Sequence, residues 1–395
     1  MGARARRPLR VLYVSGLMRR ETLQRLFSDA PFPPSQAAQK YHGLLTRGLA
    51  ENGAEVIAVS APPVSRRTSK RRFVCLPPET ADGVQYRYLP VWDIPGIKQA
   101  ITWCSSFFTT LFRLHGNAYV LCDGLTIMAG SGALAAAKLR RRPCTAIVTD
   151  VPEILGGGSR TAKLNTRVLA RYDGYLLLTA AMSERVNPKG KPYLVAEGQV
   201  DADMHLRHNI QAQKHAEKVC LYAGMLHEQY GILRLVEAFE RVKDPEIRLD
   251  IYGTGDSVEA IQAAQQRDAR IRYRGVVDNA RVVEEEMHAT LLINPRPTDA
   301  EFTRYSFPSK NLEYMASATP VLTTRLPGMP QEYNDYVYLF DGETPEQMAK
   351  TLESVLALPR ETLHEKGLAA KAFVLAGKSN CAVAKRVLQF MEGLS

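Results

Sequence analysis

The sequence predicts an α/β protein made of two Rossmann-like domains. The chain has 395 residues, which is enough for two domains of ordinary size. Short apolar runs typical of buried strands alternate with amphipathic helical segments, as expected for parallel sheets covered by helices. This plan occurs twice along the chain. We therefore predict one domain over residues 1–196 and a second over 197–380, with ligands bound at the carboxyl ends of the strands.

The first half contains seven predicted strands and four predicted helices. The strands are placed at 9–14, 55–59, 84–89, 118–122, 145–149, 175–179 and 193–196. The helices are placed at 39–50, 97–114, 127–139 and 163–172. A long loop is expected over 16–34 and a basic, proline-rich insertion over 61–83. The helix at 97–114 has an apolar side with Ile101, Phe108, Leu111 and Phe112.

The second half repeats the same alternation of strands and helices. Strands are predicted at 219–223, 248–252, 271–274, 291–293 and 321–324, and helices at 231–242, 279–288, 310–318 and 381–391. Gly253-Thr254-Gly255 forms a tight turn into a further helix. No GxGxxG motif follows the first strand, which argues against a nicotinamide-dependent enzyme.

The positive charge of the chain is concentrated in its first half. The net charge is +10, and residues 1–196 carry 28 Lys and Arg against 12 Asp and Glu. Such a half suits a membrane surface, a nucleic acid or an acidic glycan, although a solvated basic surface gives the same count. No basic run interleaved with aromatics and no nucleic-acid motif is found. We therefore expect an anionic membrane surface as a partner of the basic N-terminal half, and no nucleic acid.

The sequence predicts a cytoplasmic protein that can be peripheral on the inner face of the membrane. The apolar stretch at 101–112 is too short and too rich in hydroxyls to span a bilayer. The apolar run at 9–14 indicates a first strand rather than a secretory leader. The six cysteines show no CxxC pair and no metal-ligand spacing, so a reducing compartment is the simplest expectation.

The most informative segment is 291–322, which predicts strand, loop, helix and strand. The strand ends where Pro295 removes a backbone donor. The loop holds Arg296, and residues 306–309 open the helix. Lys310 and Glu313 lie three residues apart and share a helix face. Backbone N–H groups at the helix start, together with the Lys310 ammonium, form a site for phosphate, and the carboxylate can accept two hydroxyls. This is the chemistry that holds a nucleoside diphosphate.

This segment resembles the donor-binding motif of retaining glycosyltransferases of the GT4 family, which have the GT-B fold. Glu313 matches the second of the two glutamates in the family's pattern. Tyr305 stands where the first glutamate would be, and Phe307-Pro308 replaces Phe-Gly. A subset of the family has Pro-Ser-Lys here, which Pro308-Ser309-Lys310 resembles. Many bacterial members build cell-surface polysaccharides.

The resemblance implies two Rossmann-like domains that face each other across a cleft. Residues 1–196 would form the acceptor domain, and a C-terminal helix at about 381–395 would cross back onto it. Residues 197–380 would bind the nucleotide-sugar donor. The implied reaction moves a hexose-type sugar from a UDP- or GDP-linked donor to a glycan acceptor, expected to be lipid-linked, with the anomeric configuration retained. Such enzymes work without a bound metal, so neither a cofactor nor a metal is expected.

The resemblance also implies roles for individual residues. Lys310 and Arg296 would stabilise the diphosphate, while Glu313 would hold the ribose or the sugar hydroxyls. The loop and helix start add Tyr305, Ser306 and Ser309 to the donor site. Glu301 is a candidate to replace the missing first glutamate.

Asp150 is the candidate for contact with the transferred sugar or the acceptor, although Asp before Val-Pro is also common in turns. A mobile glycine loop is expected at 156–158. His42 is expected to be a surface or packing residue.

The largest departure from the family pattern lies in the segment GMLHEQYG, residues 224–231. The family has Arg after the first glycine and Lys before the second, where this chain has Met225 and Tyr230. We predict that Lys310 and Arg296 take over the phosphate contacts. Gly224 and Gly253 are predicted to let the donor approach the backbone, although Gly253 also suits a structural turn. The alternatives are a degenerate transferase that serves as a scaffold, and a nucleotide-sugar epimerase.

Overall fold

The computed structural model describes residues 9–28, 30, 34–66, 68–69, 71–155 and 159–394. The chain divides into two compact α/β units. The first unit runs to Gln199 and takes up the chain again at Asn380, and the second unit is Val200–Ser379. The predicted boundary at 196 lies close to this division. The predicted fold class is confirmed, because each unit contains a sheet of mainly parallel strands with helices between them.

The described residues of the first unit form ten strands and seven α-helices before the chain enters the second unit. The strands are β1 (Arg10–Ser15), β2 (Glu55–Ser60), β3 (Phe73–Val74), β4 (Glu79–Ala81), β5 (Val84–Tyr88), β6 (Val91–Trp92), β7 (Ala118–Asp123), β8 (Cys144–Val148), β9 (Gly174–Leu177) and β10 (Tyr193–Val195). The helices are α1 (Arg20–Phe27), α2 (Gln36–Glu51), α3 (Ile97–Arg113), α4 (Ile127–Leu139), α5 (Pro152–Leu155), α6 (Arg160–Leu169) and α7 (Met182–Val186).

Eight of these strands form one sheet in the order β10-β9-β8-β7-β1-β2-β5-β4. The central strands β1 and β7 are buried along almost their whole length, as expected for parallel strands covered on both faces. Their carboxyl ends, at Ser15 and Asp123, lie at the same edge of the sheet. β4 joins antiparallel at the other end of the sheet from β10, and β3 pairs with β6 in a separate two-stranded antiparallel sheet.

Two segments predicted as irregular contain regular structure. Helix α1 lies in the expected loop at 16–34, where its apolar residues Leu23 and Phe27 pack in a small cluster with Val74 and Val91. The insertion at 61–83 contributes β3 and β4. Both predictions were wrong because these elements are short, and because α1 and β3 depend on contacts with residues further along the chain.

Helix α3 has the predicted bounds to within one residue, but its apolar side does not face the core. Its buried residues are Ser106 and Thr110, whereas Phe108 and Phe112 are 51% and 69% exposed. The apolar side predicted for this helix exists, but its two phenylalanines are exposed. The reason is close packing against α4, where small residues meet the hydroxyl side of α3.

The second unit contains six strands and six helices. The strands are β11 (Lys218–Met225), β12 (Ile247–Thr254), β13 (Ile271–Gly275), β14 (Leu291–Asn294), β15 (Val321–Thr323) and β16 (Tyr338–Leu339). The helices are α8 (Ile232–Glu240), α9 (Val258–Arg267), α10 (Asn279–His288), α11 (Ser309–Ala316), α12 (Pro345–Leu356) and α13 (Arg360–Lys378). The strands form one parallel sheet in the order β13-β12-β11-β14-β15-β16. Its core joins Leu249, Ile293 and Leu352, each fully buried.

The last helix, α14 (Asn380–Glu392), belongs to the first unit. Its apolar face, with Val387 and Met391 buried, packs against α2 and enters the same core as β1. Asn52 Nδ2 at the end of α2 donates to the Cys381 carbonyl at 2.9 Å. The expected return of the C-terminal helix to the first domain is thus observed.

Candidate donor site in the second unit

Helix α11 carries the predicted donor residues, and two polar contacts fix it to the sheet. The side chain of Asn311, fully buried, accepts from Asn294 Nδ2 at the end of β14 at 2.8 Å. Tyr314 Oη accepts from the Ala223 N–H at 2.8 Å and donates to the Ala223 carbonyl at 3.1 Å. Because these bonds lie in the core, where unmet polar groups are costly, they hold the first turn of α11 over the carboxyl end of β11.

Lys310 is placed by this anchoring against the backbone of β11. A Cβ added to Gly224 would lie 1.3 Å from Lys310 Nζ, so only glycine leaves room for the ammonium here. Lys310 Nζ donates to Tyr222 Oη at 3.1 Å and lies 4.4 Å from the centre of the Tyr222 ring. Tyr222 Oη in turn donates to the Met225 carbonyl at 2.8 Å. The ammonium is thereby held by a hydrogen bond and a cation–π contact.

The electrostatics of the site are dominated by burial. Burial lowers the pKa of the Lys310 ammonium to about 8, an effect that the nearby Glu313 carboxylate partly offsets. Burial also raises the pKa of Tyr222, so this phenol keeps its proton and remains a donor. Lys310 is therefore a cation at neutral pH whose charge has been partly stripped of water. Such a group gains more from an anionic ligand than a solvated lysine does.

Arg296 supplies a second cation from the loop between β14 and α11. Its Nη2 donates to Ser306 Oγ at 3.0 Å, and Ser306 Oγ donates to the Phe302 carbonyl at 2.9 Å. Its guanidinium carbon lies 4.7 Å from the ring centre of Phe302 and 5.6 Å from that of Tyr230. The planar guanidinium suits this stacking.

The loop that carries Arg296 is held in place by contacts on two sides. Thr298 N donates to Glu343 Oε2 at 3.1 Å, and the same carboxylate pairs with Arg234 Nη1 at 3.2 Å. Thr324 Oγ1 donates to the Arg296 carbonyl. On the other flank, Gly231 has a φ of +79°, and a Cβ there would lie 2.1 Å from the Pro295 carbonyl oxygen. The two loops that follow β11 and β14 are therefore in close contact.

The predicted donor residues lie together, with different exposures. Ser309 is the exposed first residue of α11, Glu313 is half-buried one turn later, and Glu301 is exposed on a short 3₁₀ helix, Glu301–Arg304. Tyr305 is only 5% exposed, so its ring is a packing group in this structure, and its contact with donor remains a prediction. The helix start predicted over 306–309 lies at Ser309, with Pro308 as the N-cap residue.

The glycines of the strand ends lie where they were predicted to matter. Gly253, at the end of β12, pairs in register with Gly224. A Cβ on Gly253 would lie 1.8 Å from the Gly224 carbonyl oxygen. This contact supports the structural reading of Gly253, and its role as a wall of the donor site remains a prediction.

Asp150 belongs to the first unit, whereas the other predicted site residues belong to the second. It follows the carboxyl end of β8, half-buried, and α5 begins two residues later. The glycine loop predicted at 156–158 lies outside the described residues.

His42 is a packing residue rather than a surface residue. It is 4% exposed, with Nδ1 2.6 Å from Tyr13 Oη and Nε2 3.7 Å from Asp123 Oδ2. Burial lowers the pKa of His42.

Sequence reasoning missed Tyr222 and Phe302, which hold the two cations. Tyr222 lies in an apolar strand and resembles any core tyrosine, while Phe302 follows the acidic Glu301 in a polar loop. The only available signal was their position, close to a strand end and close to the predicted phosphate site. Among the described residues, no group of three or more His, Cys, Asp or Glu side chains is arranged to hold a metal ion.

Comparison with known proteins places this site in context. Residues 217–357 match the family model described as "Glycosyl transferases group 1". No curated protein sequence matches the chain.

The fold is similar over its whole length to that of several solved structures. HepE from Anabaena, solved with UDP, aligns with a TM-score of 0.66 and 12% identity over 98% of this chain and 100% of that one. Sucrose-phosphate synthase from Thermosynechococcus elongatus aligns at 0.65 with 16% identity over 98% and 99%. The lipopolysaccharide outer core galactosyltransferase WaaB, in its apo form, aligns at 0.61 with 12% identity over 98% and 99%. At sequence identities of 12% to 16%, this structural similarity establishes the fold alone. The whole chain thus has the GT-B fold of glycosyltransferases, and residues 217–357 match the glycosyl transferases group 1 domain.

Proposed function

We propose that the protein is a retaining glycosyltransferase that moves a hexose-type sugar from a UDP- or GDP-linked donor to a glycan acceptor. The observation that carries this proposal is the position of the Lys310 ammonium, directly over the Gly224 backbone at the first turn of α11. A helix start with a lysine beside it is suited to a diphosphate. The solved structures of HepE hold UDP or UDP-glucose, and this supports the nucleotide sugar as donor.

The same geometry supports replacement of the two cations that the family places in this segment. Arg296 lies against the ring of Tyr230, so a positive charge stands beside the position where the family has lysine. Lys310 lies against Gly224, next to Met225, where the family has arginine. Both charges come from a later part of the chain. The proposal is that they perform the phosphate contacts that Met225 and Tyr230 do not make.

In the proposed reaction, Lys310 and Arg296 stabilise the negative charge that develops on the departing diphosphate. The bond between the anomeric carbon and the phosphate oxygen breaks as the acceptor oxygen attacks the same face. The departing phosphate takes the acceptor's proton. Glu313 holds the ribose or the sugar hydroxyls, with Ser306, Ser309 and the loop carrying Glu301 and Tyr305 around it. Asp150 is proposed to contact the sugar or acceptor, and no metal is required.

The proposed acceptor is a lipid-linked glycan in surface polysaccharide synthesis. The similarity in fold to WaaB, a lipopolysaccharide galactosyltransferase, and the basic first half of the sequence support an acceptor at an anionic surface. The protein would then work in the cytoplasm, peripheral to the inner face of the membrane. Within the described residues, no helix combines the length and the apolar character needed to cross a bilayer.

The proposal is tested by calorimetric titration with UDP and GDP and by turnover of a panel of nucleotide sugars. Replacement of Lys310 by Ala should lower turnover by about 10²–10³-fold, as does loss of one preorganised donor in other sites. Lys350→Ala removes an exposed lysine from α12 of the same unit and should leave turnover unchanged. Equal turnover in the Lys310→Ala variant and the parent would end the assignment.

The same titration distinguishes the proposed enzyme from the main alternative, a degenerate transferase that serves as a scaffold. Met225 is 47% exposed and uncharged, which favours that alternative at one position. A scaffold would bind neither UDP nor GDP, whereas the proposed enzyme binds at least one of them and transfers its sugar.

A further inference from the structure

Helix α3 presents an apolar face that the first unit does not cover. Ile97, Phe108 and Phe112 are 46%, 51% and 69% exposed. The rings of Phe108 and Phe112, one turn apart, stack with their centres 6.1 Å apart. Between Lys98 and Arg113 the helix contains no charged residue. An exposed aromatic strip of this kind is unusual on a monomeric surface and typically marks an interaction site.

The inner side of α3 explains why these rings face outward. Ser106 Oγ donates to the Ala129 carbonyl at 2.7 Å, and Thr110 is fully buried. A Cβ on Gly132 of α4 would lie 2.4 Å from the Trp103 carbonyl oxygen, so the two helix backbones nearly touch. Large side chains cannot occupy this contact. The polarity of α3 is therefore reversed, with hydroxyls inside and aromatics outside.

A second aromatic pair lies next to the start of α3. Phe73 and Trp92, from the two-stranded sheet of β3 and β6, are 61% and 46% exposed. Their ring centres are 5.8 Å apart in an edge-to-face arrangement. Strand β6 is the element before α3, and its Trp92 carbonyl accepts from the Ile94 N–H at 2.8 Å. The exposed aromatic surface thus includes two elements.

Cations lie at both ends of this surface. At the start of α3, Arg66 and Lys98 line one shallow depression, and the Arg72 carbonyl accepts from the Asp93 N–H at 2.7 Å beside it. Asp93, which also lines this depression, is paired with Lys98 at 3.0 Å.

At the other end of α3, Arg142 Nη2 donates to the Gly116 carbonyl at 2.6 Å, three residues beyond Arg113. Arg140 and Arg141 are exposed next to it. Aromatics bracketed by cations are the pattern of a helix that lies in the interface of an anionic bilayer.

We infer that the exposed face of α3, with the Phe73–Trp92 pair of the two-stranded sheet, docks the protein onto an anionic lipid bilayer. The helix lies in the plane of the headgroups, with Phe108 and Phe112 inserted and the flanking arginines on the lipid phosphates. A second copy of the chain fits less well, because pairing this face with itself would bring the same arginines together. The inference builds on the proposed lipid-linked acceptor and names the element that holds the protein at the membrane.

Intrinsic fluorescence reports directly on this surface, since the chain has only two tryptophans, Trp92 and Trp103. Trp92 is in β6 of the two-stranded sheet, and Trp103 stacks on Phe107 of α3 with ring centres 5.3 Å apart. The probe is a vesicle of phosphatidylcholine with or without phosphatidylglycerol. We expect flotation with the phosphatidylglycerol vesicles, a blue shift of emission, and quenching by brominated lipid. Added salt should weaken the binding, because it screens the arginines.

The decisive variant is Phe108→Gln/Phe112→Gln, in which glutamine preserves helix propensity. Each lost phenyl ring should weaken partition into vesicles by about tenfold, and the pair by about a hundredfold. The control is Leu206→Gln, which removes a 65% exposed leucine from the second unit and should bind vesicles like the parent. Far-UV circular dichroism checks that each variant is folded.

Two outcomes would overturn the inference. One is vesicle binding by the double variant as strong as that of the parent. The other is no vesicle binding by the parent. A dimer in light scattering that the double variant abolishes would then show that this face pairs with a second copy of the chain. UDP titration without vesicles tests the proposed donor site independently of the docking inference. Nucleotide binding without vesicle binding defeats only the docking inference, and the reverse result defeats only the proposed donor site.

Discussion

At the scale of single residues, the donor site depends on a lysine whose charge is weakened by its surroundings. Burial lowers the pKa of Lys310 to about 8, whereas a lysine in an unfolded chain titrates near 10.4. The contacts with Tyr222 keep the ammonium in place but do not replace the hydration that it loses on burial. The charge needed for the diphosphate is therefore present at neutral pH and absent in mild alkali.

We predict that nucleotide affinity falls as the pH rises through about 8, by about tenfold per pH unit once Lys310 is deprotonated. In the Lys310→Arg variant the guanidinium stays charged, so its affinity, though altered by the larger side chain, should not change over this range. Titration calorimetry at a series of pH values checks both. A parallel fall in parent and variant would mean that another group is responsible.

The lowered pKa of Lys310 affects stability in the opposite direction, because a rise in pH weakens nucleotide binding but stabilises the folded chain. Above pH 8 the unfolded chain still binds a proton at this lysine, while the folded chain has begun to lose it. The contribution of Lys310 to the free energy of unfolding therefore rises with pH between about 8 and about 10.4. Urea denaturation of the parent and of Lys310→Arg should differ in slope within this window. Identical pH slopes would mean that Lys310 titrates alike in both states.

At the scale of elements, the carboxyl ends of β11 and β12 are built from glycine so that α11 can lie close to them. Gly224 has a φ of +152° and has the Lys310 ammonium against its Cα. A side chain there would displace Lys310, and the backbone conformation would be strained as well. The site is thus a feature of three elements in contact rather than of one motif.

Gly224→Ala should therefore abolish measurable binding of UDP and GDP and lower the free energy of unfolding by about 1–3 kcal/mol. Gly377→Ala is the matched control, because no atom lies within 4 Å of a Cβ added there. Gly377 lies in α13, where alanine is favoured by about 0.5–1 kcal/mol, so this variant should be slightly more stable and bind normally. Unchanged nucleotide binding in Gly224→Ala would show that Lys310 is not held where the structure places it.

At the scale of the whole molecule, the first unit is completed by the last segment of the chain. Helix α14 packs on α2, where a Cβ added to Gly48 would lie 2.3 Å from the Asn380 carbonyl oxygen. Its buried face supplies Val387 and Met391 to the core around β1. Since a core without these side chains would contain a large cavity, the first unit depends on residues more than 370 positions after its first strand.

We predict that Met391→Ala lowers the free energy of unfolding of the first unit by about 2–5 kcal/mol. Both tryptophans, Trp92 and Trp103, belong to that unit, so their emission during urea denaturation reports on it. Gln389→Ala changes an exposed residue of the same helix and should leave the transition in place. A Met391→Ala transition that coincides with that of the parent would mean that α14 adds little to this core.

Local patterns were enough to predict the alternation of strands and helices, the two α/β units and the position of α11. Periodicity is local, so strands such as 291–293 and helices such as 127–139 could be predicted from their own residues. The motif from Pro308 to Glu313 indicated a phosphate site for the same reason, since a lysine at a helix start has a local meaning.

Contacts between distant elements, which no local pattern contains, set which residues meet and which side of α3 is buried. The contact of Arg296 with the Tyr230 ring joins residues 66 positions apart, and no local pattern relates them. The aromatics of α3 match an ordinary core helix in their spacing. They lie outside because Gly132 of α4 approaches the α3 backbone so closely that only the hydroxyl side fits. Packing between elements, which depends on shape and on distant residues, made these choices.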